Sequence, residues 1–415
     1  MFKQEIVIWG TGKVARQFFY EKGFNYDIKY FIDNYQPKYK MKNLKVYHPK
    51  DINLKQYKII IAMADWESVA KQLKSSGLIF IKDYVPYYLF DKDEIPIMDI
   101  VTQITNQEDR EDAICTYQKG RKIALINGNC QTSRIKQYLK QNKEFRQEYV
   151  FLDIPAIYLL NRNQITELME NSTILKKIKL FISQNISLQN SFDYRLSNQY
   201  LISLMDNDIK YIRIPNLYFD VYFPNGGKEQ DQEKEKFVRD MFPYNDAIID
   251  ELQKSKGFTG KGYKIEEIIQ IVTLDNLFSH KLLCWILKYR IQQLKEREDA
   301  CDIKIMDYIE KYYLEKQLFY SRNHPINDVL KVISTRLLKY INEEWSTEIE
   351  HEETIPSLAL NQEFIYPSVA QGLKVSFVKK YYSDNISECK YNIEDEIKKY
   401  IFSNDGEHVK KQSKK

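Results

Sequence analysis

The sequence contains few cysteines, and their arrangement excludes two classes of protein. The five are scattered without a Cys-x-x-Cys pair, at Cys115, Cys130, Cys284, Cys301 and Cys389. An odd and widely spaced set fits neither a disulfide framework nor the paired ligands of a zinc site. We therefore expect reduced thiols and no bound metal.

The chain also lacks a charge excess and a long apolar run. Its 62 Lys and Arg residues are nearly matched by 58 Asp and Glu residues, which leaves a net charge of +4. Nucleic-acid binding needs clustered positive charge, so nucleic acid is not an expected partner. No apolar run reaches the roughly 18 residues of a membrane span, and the first residues lack a signal-peptide pattern. We expect a cytoplasmic protein without a transmembrane segment, ending in a disordered basic tail at 410–415.

Two successive α/β patterns are present instead. In the first hundred residues, short β-branched runs such as 6–9, 28–32 and 59–62 alternate with helical patterns, which is typical of a parallel sheet. A second α/β pattern begins at Lys122, with strands predicted at 122–127, 148–153, 178–183 and 209–214. From about residue 232 the sequence becomes mostly helical. The fold class predicted is therefore α/β with a large helical C-terminal part.

The length of 415 residues exceeds what one hydrophobic core usually supports, so two domains are expected. We predict a Rossmann-like domain over 1–95, a linker over 96–120, a second α/β domain over 121–375 and an extension over 376–415. Within the second domain, residues 275–298 have the pattern of a long amphipathic helix. Its inward residues are predicted to be Leu277, Leu282, Leu283, Ile286 and Ile291.

A glycine turn follows the first predicted strand. Gly10 permits a tight turn, and Gly12 lets a phosphate approach the backbone at the start of a helix. Asp33 ends the next strand roughly 20 residues later, where a carboxylate can bind a ribose hydroxyl. These three residues predict a nucleotide or nucleotide-sugar site. The alternative is a turn that serves packing alone in a module without a ligand.

The second α/β pattern opens on a strand that runs into Asn127-Gly-Asn-Cys-Gln-Thr-Ser133. Cys130 is therefore expected where a strand ends and a helix begins, a position at which N–H groups and the helix dipole favour an anion. Such a turn predicts either a coenzyme site, which holds phosphates or a thioester oxygen, or a nucleophilic cysteine. The alternative is that Cys130 is a small buried apolar side chain.

His324 is the most informative of the five histidines. It lies in the segment 322–328, which we interpret as a loop leading into a helix with Pro325 at the helix entry. Neighbouring Asn and Asp side chains can orient the imidazole, so His324 is a candidate general base. A surface or helix-capping histidine is the alternative.

Two further segments contain candidate site residues. An apolar strand ends at Gln184, whose amide can donate a hydrogen bond to a developing oxyanion. The aromatic-rich segment 213–224 includes Pro215 and Tyr218 and can stack on an adenine or a sugar. The alternatives are ordinary polarity at a strand end and ordinary core aromatics.

Taken in order, four segments resemble the WcbI family of capsular-polysaccharide biosynthesis proteins: 128–131, 183–184, 214–219 and 318–325. The resemblance covers residues 121–370. It implies a coenzyme A-binding domain that O-acetylates a capsule sugar, with the 128–131 turn and the 323–325 segment at the site. It also implies acetyl-CoA as donor, a glycan acceptor and association with capsule-assembly proteins. In addition, the segment from Ile6 to Leu89 resembles Rossmann-like domains found beside sugar-modifying acyltransferases and methyltransferases, some of which bind nucleotide-linked sugars.

Residue chemistry and the resemblance together give a set of predicted site residues. The catalytic residues are His324, Cys130 and Gln184. The coenzyme-binding residues are Gly128, Asn129, Gln131, Thr132, Ser133, Pro215, Tyr218 and Asn323. In the predicted mechanism His324 deprotonates a sugar hydroxyl, while N–H groups near Asn129 and Cys130, together with Gln184, stabilise the oxyanion. In a variant, Cys130 carries the acyl group.

Two alternatives to acyl transfer stay open. The strand, turn and helix around Cys130 are similar to the nucleophile turn of the SGNH esterases, which suggests removal of acyl groups from glycans. Those enzymes place an aspartate three residues before the catalytic histidine, whereas this chain has Ser321. The second alternative is a non-catalytic scaffold that binds a nucleotide-sugar or a coenzyme.

Overall fold

The computed structural model describes residues 3–35, 40–170, 173–188, 193–224, 246–255, 262–359, 363–377, 394–395 and 397–401. These residues form an α/β protein with parallel strands and many helices, which confirms the predicted fold class. Cys389, the basic tail at 410–415 and most of the predicted extension from residue 376 lie outside the described residues.

The first α/β pattern folds into a six-stranded sheet. Its strands are β1 (Glu5–Trp9), β2 (Asp27–Ile32), β3 (Lys40–Met41), β4 (Leu44–Tyr47), β5 (Lys58–Ile61) and β6 (Tyr84–Pro86), and two of its connections contain α1 (Lys13–Lys22) and α2 (Trp66–Ser75). The strand order is β3-β4-β2-β1-β5-β6, and all neighbours except β3 and β4 are parallel. The central strands β1 and β5 are rich in isoleucine and are buried nearly throughout, as is typical of strands covered on both faces.

The segment predicted to be a linker contains two helices, α3 (Ile97–Gln103) and α4 (Gln107–Gln118). Both bury apolar side chains, among them Ile100 and Ala113. After them comes a four-stranded sheet of β7 (Lys122–Asn127), β8 (Tyr149–Phe151), β9 (Ile178–Gln184) and β10 (Lys210–Ile214), in the order β10-β9-β7-β8. Its helices are α5 (Cys130–Lys140), α6 (Lys143–Glu148), α7 (Arg162–Glu170), α8 (Thr173–Lys176) and α9 (Asn198–Ser203). The four predicted strands are therefore confirmed.

The C-terminal part is mostly helical. It contains α10 (Ala247–Lys254), α11 (Ile265–Val272), α12 (His280–Asp299), α13 (Met306–Tyr312), a hairpin of β11 (Phe319–Ser321) and β12 (His324–Pro325), α14 (Asn327–Ile341) and α15 (Pro367–Leu373). The long helix α12 is close to its predicted position, but the prediction that Leu282 faces inward was wrong. Leu282 is 43% exposed, while Leu283 is fully buried. Adjacent residues point about 100° apart on a helix, so the two leucines do not share a narrow buried face.

The chain divides into two compact units, each made of several segments that are not continuous in sequence. The first unit comprises Met1–Asn127, Arg146–Ile182 and Ile186–Tyr211, and the second comprises Gly128–Phe145, Ser183–Asn185 and Ile212–Lys415. The second unit thus begins where β7 ends. None of the described helices is both long and apolar enough to cross a membrane. The functional boundaries at 95, 120 and 375 stay a prediction.

The two glycines of the N-terminal turn differ in their surroundings. Gly10 has φ of +117°, and a Cβ added there would lie 2.8 Å from the Ala62 carbonyl oxygen. Gly12 has φ of −75°, and an added Cβ would meet nothing within 4 Å. Backbone conformation and packing therefore explain Gly10, whereas the space beside Gly12 is open at the start of α1.

One carboxylate oxygen of Asp33 is bonded to the same turn. Its Oδ2 accepts a hydrogen bond from the Thr11 hydroxyl at 2.5 Å, and its Oδ1 accepts one from the Tyr35 N–H at 2.8 Å. Each carboxylate oxygen retains capacity for a further donor, because a carboxylate offers about four lone-pair sites. The nucleotide site at Gly10, Gly12 and Asp33 stays a prediction.

Serine substitutions at the two glycines are expected to have unequal effects on stability. Gly10→Ser places a Cβ against the Ala62 carbonyl at a positive φ, so we expect its free energy of unfolding to fall by about 1 to 3 kcal/mol. Gly12→Ser puts a favoured N-cap residue into open space, so its free energy of unfolding should stay within about 0.5 kcal/mol. Urea unfolding followed by circular dichroism measures both. Equal losses would contradict this account of the turn.

Candidate functional site

The second unit begins with a turn that links β7 to α5. Asn129 is the N-cap of α5: its Oδ1 accepts a hydrogen bond from the Gln131 N–H at 3.0 Å. Its carbonyl accepts from the Thr132 N–H at 3.0 Å and from the Thr132 hydroxyl at 2.7 Å. Asparagine is among the best N-cap residues because its side chain satisfies an N–H of the first turn. The predicted sequence of strand, turn and helix around Cys130 is therefore confirmed.

Gly128 is required by close packing within this turn. A Cβ added at this position would lie 2.4 Å from Thr132 Cγ2 and 2.6 Å from Gln184 Oε1. Both distances are far below ordinary van der Waals contact, so a side chain there would displace one or both neighbours. Asn129 also reaches the segment after β10, because its Nδ2 donates to Asn216 Oδ1 at 3.1 Å.

The Gln131 carboxamide connects all four segments of the predicted site. Its Nε2 donates to the carbonyl oxygens of Leu217 and Asn323, each at 2.7 Å. Its Oε1 accepts from the Leu217 N–H at 3.1 Å and from Gln184 Nε2 at 3.0 Å. These four bonds use the full capacity of a primary amide, and Gln131 is only 1% exposed. A residue predicted to bind coenzyme thus holds the segments of the site together.

Gln184 is oriented toward the turn as an acceptor. Its Oε1 accepts the Asn129 N–H at 3.0 Å, and the residue is almost fully buried at the end of β9. The Asn129 N–H, predicted to be an oxyanion donor, is therefore already bonded to Gln184. The geometry gives Gln184 a clear positioning function, while its predicted catalytic role stays a prediction.

His324 lies on a β-hairpin, so its interpretation as part of a loop was wrong. Strands β11 and β12 are antiparallel, with Ser321 opposite His324 and Phe319 opposite Pro325. Helix α14 begins only at Asn327, so Pro325 ends the hairpin and does not occupy the first turn of the helix. His324 is buried in this arrangement.

The turn and the hairpin meet through a bond from a side chain to the backbone, beside the two candidate reactive residues. Gln131 follows Cys130 directly, Asn323 precedes His324, and the bond between Gln131 Nε2 and the Asn323 carbonyl joins them. Cys130 itself is half-buried as the first residue of α5. Ser133 is also partly exposed on the first turn, whereas Thr132 is buried. The structure therefore brings the two halves of the predicted site together.

The segment after β10 contributes less exposed surface than predicted. Phe219 and Tyr222 are fully buried, and the Phe219 ring stacks on Phe319 with centroids 5.3 Å apart. Both are core aromatics. Tyr218 is only half-buried, and the Arg297 guanidinium lies 5.7 Å from its ring centroid. Tyr218 is thus the aromatic residue of this segment that retains access to solvent.

Pro215 is buried, so it offers little surface to a ligand. The coenzyme-binding roles of Pro215 and Tyr218 stay predictions. Within the described ranges, no group of three His, Cys, Asp or Glu side chains is arranged to hold a metal ion.

A buried ion pair that the sequence does not predict supports the hairpin. Arg322 is buried, and its Nε and backbone N–H donate to Glu363 Oε2 and Oε1 at 3.1 and 3.2 Å. The Arg322 carbonyl accepts the Phe219 N–H at 2.7 Å. Burial raises the pKa of Glu363 to about 7, although Arg322 acts to lower it. No local pattern predicts this pair, because its members are 41 residues apart in sequence.

Glu363 is expected to make folding stability depend on pH. Its raised pKa means that the folded state favours the protonated carboxyl. The stability that Glu363 contributes is therefore fully present below pH 4.5 and is lost as the pH rises to about 7. Across this pH range the free energy of unfolding should change by an amount on the order of 3 kcal/mol, and we expect Glu363→Gln to remove that change. Denaturant unfolding at several pH values measures the slope of the free energy of unfolding against pH.

The exposed residue Glu353 provides a matched control for this measurement. Glu353→Gln should leave the pH dependence of the wild type in place. Identical slopes in the wild type and in Glu363→Gln would show that the buried carboxyl is not the source.

The chain is similar to known proteins in sequence and in fold. A family model described as WcbI, a polysaccharide biosynthesis enzyme, matches residues 123–344, which is more than half of the chain. A solved structure described as native WcbI, a novel polysaccharide biosynthesis enzyme, without a disulfide bond between coenzyme A and a cysteine, has a TM-score of 0.50. The two sequences are 17% identical, and the match covers 61% of this chain and 79% of the solved chain. It shows similarity of fold. No curated protein matches the chain. The chain therefore belongs to the WcbI family of polysaccharide biosynthesis enzymes.

Proposed function

We propose that the second unit binds coenzyme A and transfers an acetyl group from acetyl-CoA to a sugar hydroxyl during polysaccharide biosynthesis. The observation that carries this proposal is the convergence of four segments on the Gln131 carboxamide. These are the segments that resemble the WcbI family. The coenzyme A named for the solved WcbI structure supports the choice of donor.

The residues around the turn suit an anionic coenzyme. Asn129, Cys130 and Ser133 are partly exposed at the start of α5, where N–H groups and the helix dipole favour phosphate or a polarised carbonyl. Tyr218 follows Leu217, which is bonded to Gln131. The Arg297 cation lies over the ring of Tyr218. An aromatic face beside a guanidinium suits an adenine with its phosphates. When bound, acetyl-CoA supplies the activated thioester.

In the proposed mechanism His324 accepts the proton of the sugar hydroxyl as that oxygen attacks the acetyl carbonyl. The start of α5 stabilises the negative charge that develops on the carbonyl oxygen. Protonated His324 then returns its proton to the departing thiolate, so the base is regenerated. Gln184 and Gln131 act as positioning residues, because they hold the turn and the hairpin in place.

Substitution of Cys130 distinguishes direct transfer from a route through a covalent acyl-enzyme. We propose direct transfer, so Cys130→Ser should keep its acetyl-transfer rate within about tenfold of the wild type, since no bond to the thiol forms. The assay measures free coenzyme A thiol released from acetyl-CoA, with a panel of oligosaccharides and nucleotide sugars as acceptors. A loss of more than about a hundredfold, with coenzyme A binding retained, would favour acyl transfer through Cys130.

The same assay distinguishes the two alternative functions. An esterase would release acetate from acetylated sugars without coenzyme A, and a scaffold would bind ligands without turnover. Native mass spectrometry of the purified chain tests donor binding separately, because bound coenzyme A adds its own mass. Release of acetate from sugars by a protein that ignores acetyl-CoA would overturn the transferase proposal.

The proposal places the protein in the cytoplasm, where acetyl-CoA is made, in association with capsule-assembly proteins. We also propose that the N-terminal turn binds a nucleotide or nucleotide-sugar at Gly10, Gly12 and Asp33. The open space beside Gly12 supports this part of the proposal. Calorimetric titration with nucleotide sugars tests it, and Gly12→Val should abolish any heat of binding because its side chain fills that space.

A further inference from the structure

Helix α12 exposes a row of large apolar side chains. Leu282, Trp285 and Tyr289 are 43%, 62% and 46% exposed, respectively. The Trp285 and Tyr289 rings are stacked, with centroids 5.5 Å apart and planes 1° apart. Spacings of three and four residues place these side chains on one face of the helix. A contiguous apolar patch of this kind usually marks an interaction surface.

The other side of α12 packs within the second unit. Leu283 and Leu294 are fully buried. The helix also approaches α15 closely, because a Cβ added at Gly372 would lie 2.3 Å from Leu283 Cδ1. The exposed row is therefore the outward face of a docked helix.

Positive charge borders the apolar row. Lys281 and Lys288 are exposed seven residues apart, which is two helical turns, and neither forms an ion pair with any residue that the structure describes. Arg290 differs from them, since it pairs with Asp220 at 2.7 Å. The sequence has no Asp or Glu between His280 and Lys295. Acidic groups on α12 begin only at Glu296, in its last turns.

We propose that this face of α12 docks on an anionic phospholipid bilayer. Trp and Tyr rings favour the boundary between headgroups and acyl chains, and Leu282 adds apolar area beside them. Lys281 and Lys288 lie where they can contact lipid phosphates, and their charge is complementary to an anionic surface. The same charges would face each other in a two-fold contact between copies of this helix, which disfavours self-association.

Co-sedimentation of the full chain with vesicles tests the proposal. Vesicles of phosphatidylcholine with phosphatidylglycerol should retain the protein, and vesicles of phosphatidylcholine alone should retain at least about tenfold less. Tryptophan emission provides a second measurement, because Trp285 is exposed whereas Trp9 and Trp345 are buried and Trp66 is half-buried. Anionic vesicles should shift the emission to shorter wavelength, and Trp285→Phe should remove the shift.

Variants separate charge from apolar contact. Lys281→Glu with Lys288→Glu should lower vesicle binding at least about tenfold. The control pair Lys71→Glu with Lys254→Glu changes the net charge equally at exposed positions on α2 and α10, and it should bind as the wild type does. Trp285→Ala should also lose binding, whereas Tyr340→Ala, which removes an exposed aromatic ring from α14, should not.

Three outcomes would overturn the proposal. The first is equal retention on both kinds of vesicle, and the second is equal loss of binding in the two charge-reversed pairs. The third is self-association of the wild type that Trp285→Ala abolishes, because the face would then be a contact between copies. Circular dichroism of each variant confirms that the fold is retained.

Discussion

Replacing His324 with glutamine is expected to lower the rate of acetyl transfer by about 10²- to 10⁴-fold, the usual contribution of a general base. Glutamine keeps a polar side chain in the buried position but does not accept a proton at neutral pH. Coenzyme A affinity should change little, because the turn and α5 are untouched. Steady-state kinetics and calorimetric titration with coenzyme A measure the two quantities separately.

The exposed residue His351 provides the control for this substitution. His351→Gln removes an imidazole that interacts only loosely with Glu353, at 3.7 Å, and activity should persist. If His324→Gln loses coenzyme binding as strongly as turnover, the residue supports the structure and is not the base. Full activity in His324→Gln would remove it from the mechanism.

Replacing Gln131 with glutamate is expected to disrupt the site and destabilise the second unit by about 3 kcal/mol or more. The two side chains have nearly the same shape, but a carboxylate has no N–H to donate. It would face the carbonyl oxygens of Leu217 and Asn323, which now accept from Nε2 at 2.7 Å. Leaving such groups buried without donors is costly, and an unpaired buried charge costs more. Denaturant unfolding and coenzyme A titration measure the two losses.

Gln137 on the same helix allows a matched control. Its Oε1 accepts from Arg134 Nη1 at 3.2 Å, so Gln137→Glu keeps the acceptor beside a cation. Its stability should change by less than about 1 kcal/mol. If Gln131→Glu were equally mild, the Gln131 carboxamide would not be the connection that holds the four segments together.

The secondary structure of the turn was predictable from the sequence because its determinants are local. An apolar run predicts β7, and asparagine at the N-cap position with helical periodicity after it predicts α5. The strands of the second sheet follow from short β-branched runs in the same way. Such signals extend over a few residues, so they can be interpreted without knowledge of the tertiary structure.

The hairpin that holds His324 was not predictable in this way. Pro325 before a helical pattern indicated a helix entry, yet the chain pairs Phe319 with Pro325 first and starts α14 two residues later. The pairing is supported by contacts from distant segments, among them Glu363 on Arg322 and Gln131 on Asn323. Tertiary contacts of this kind override a local preference.

The sequence by itself determined the α/β class, the family resemblance and the residues that carry reactive groups, since composition and short motifs specify these directly. Only the tertiary structure decided what Gln131 and Gln184 do, because their partners are remote in sequence. The bond from Gln131 to the Asn323 carbonyl spans 192 residues, and the bond from Gln184 to the Asn129 N–H spans 55. A side chain's chemistry is written in the sequence, but its hydrogen-bond partners are fixed only when the chain folds and water is excluded from between them.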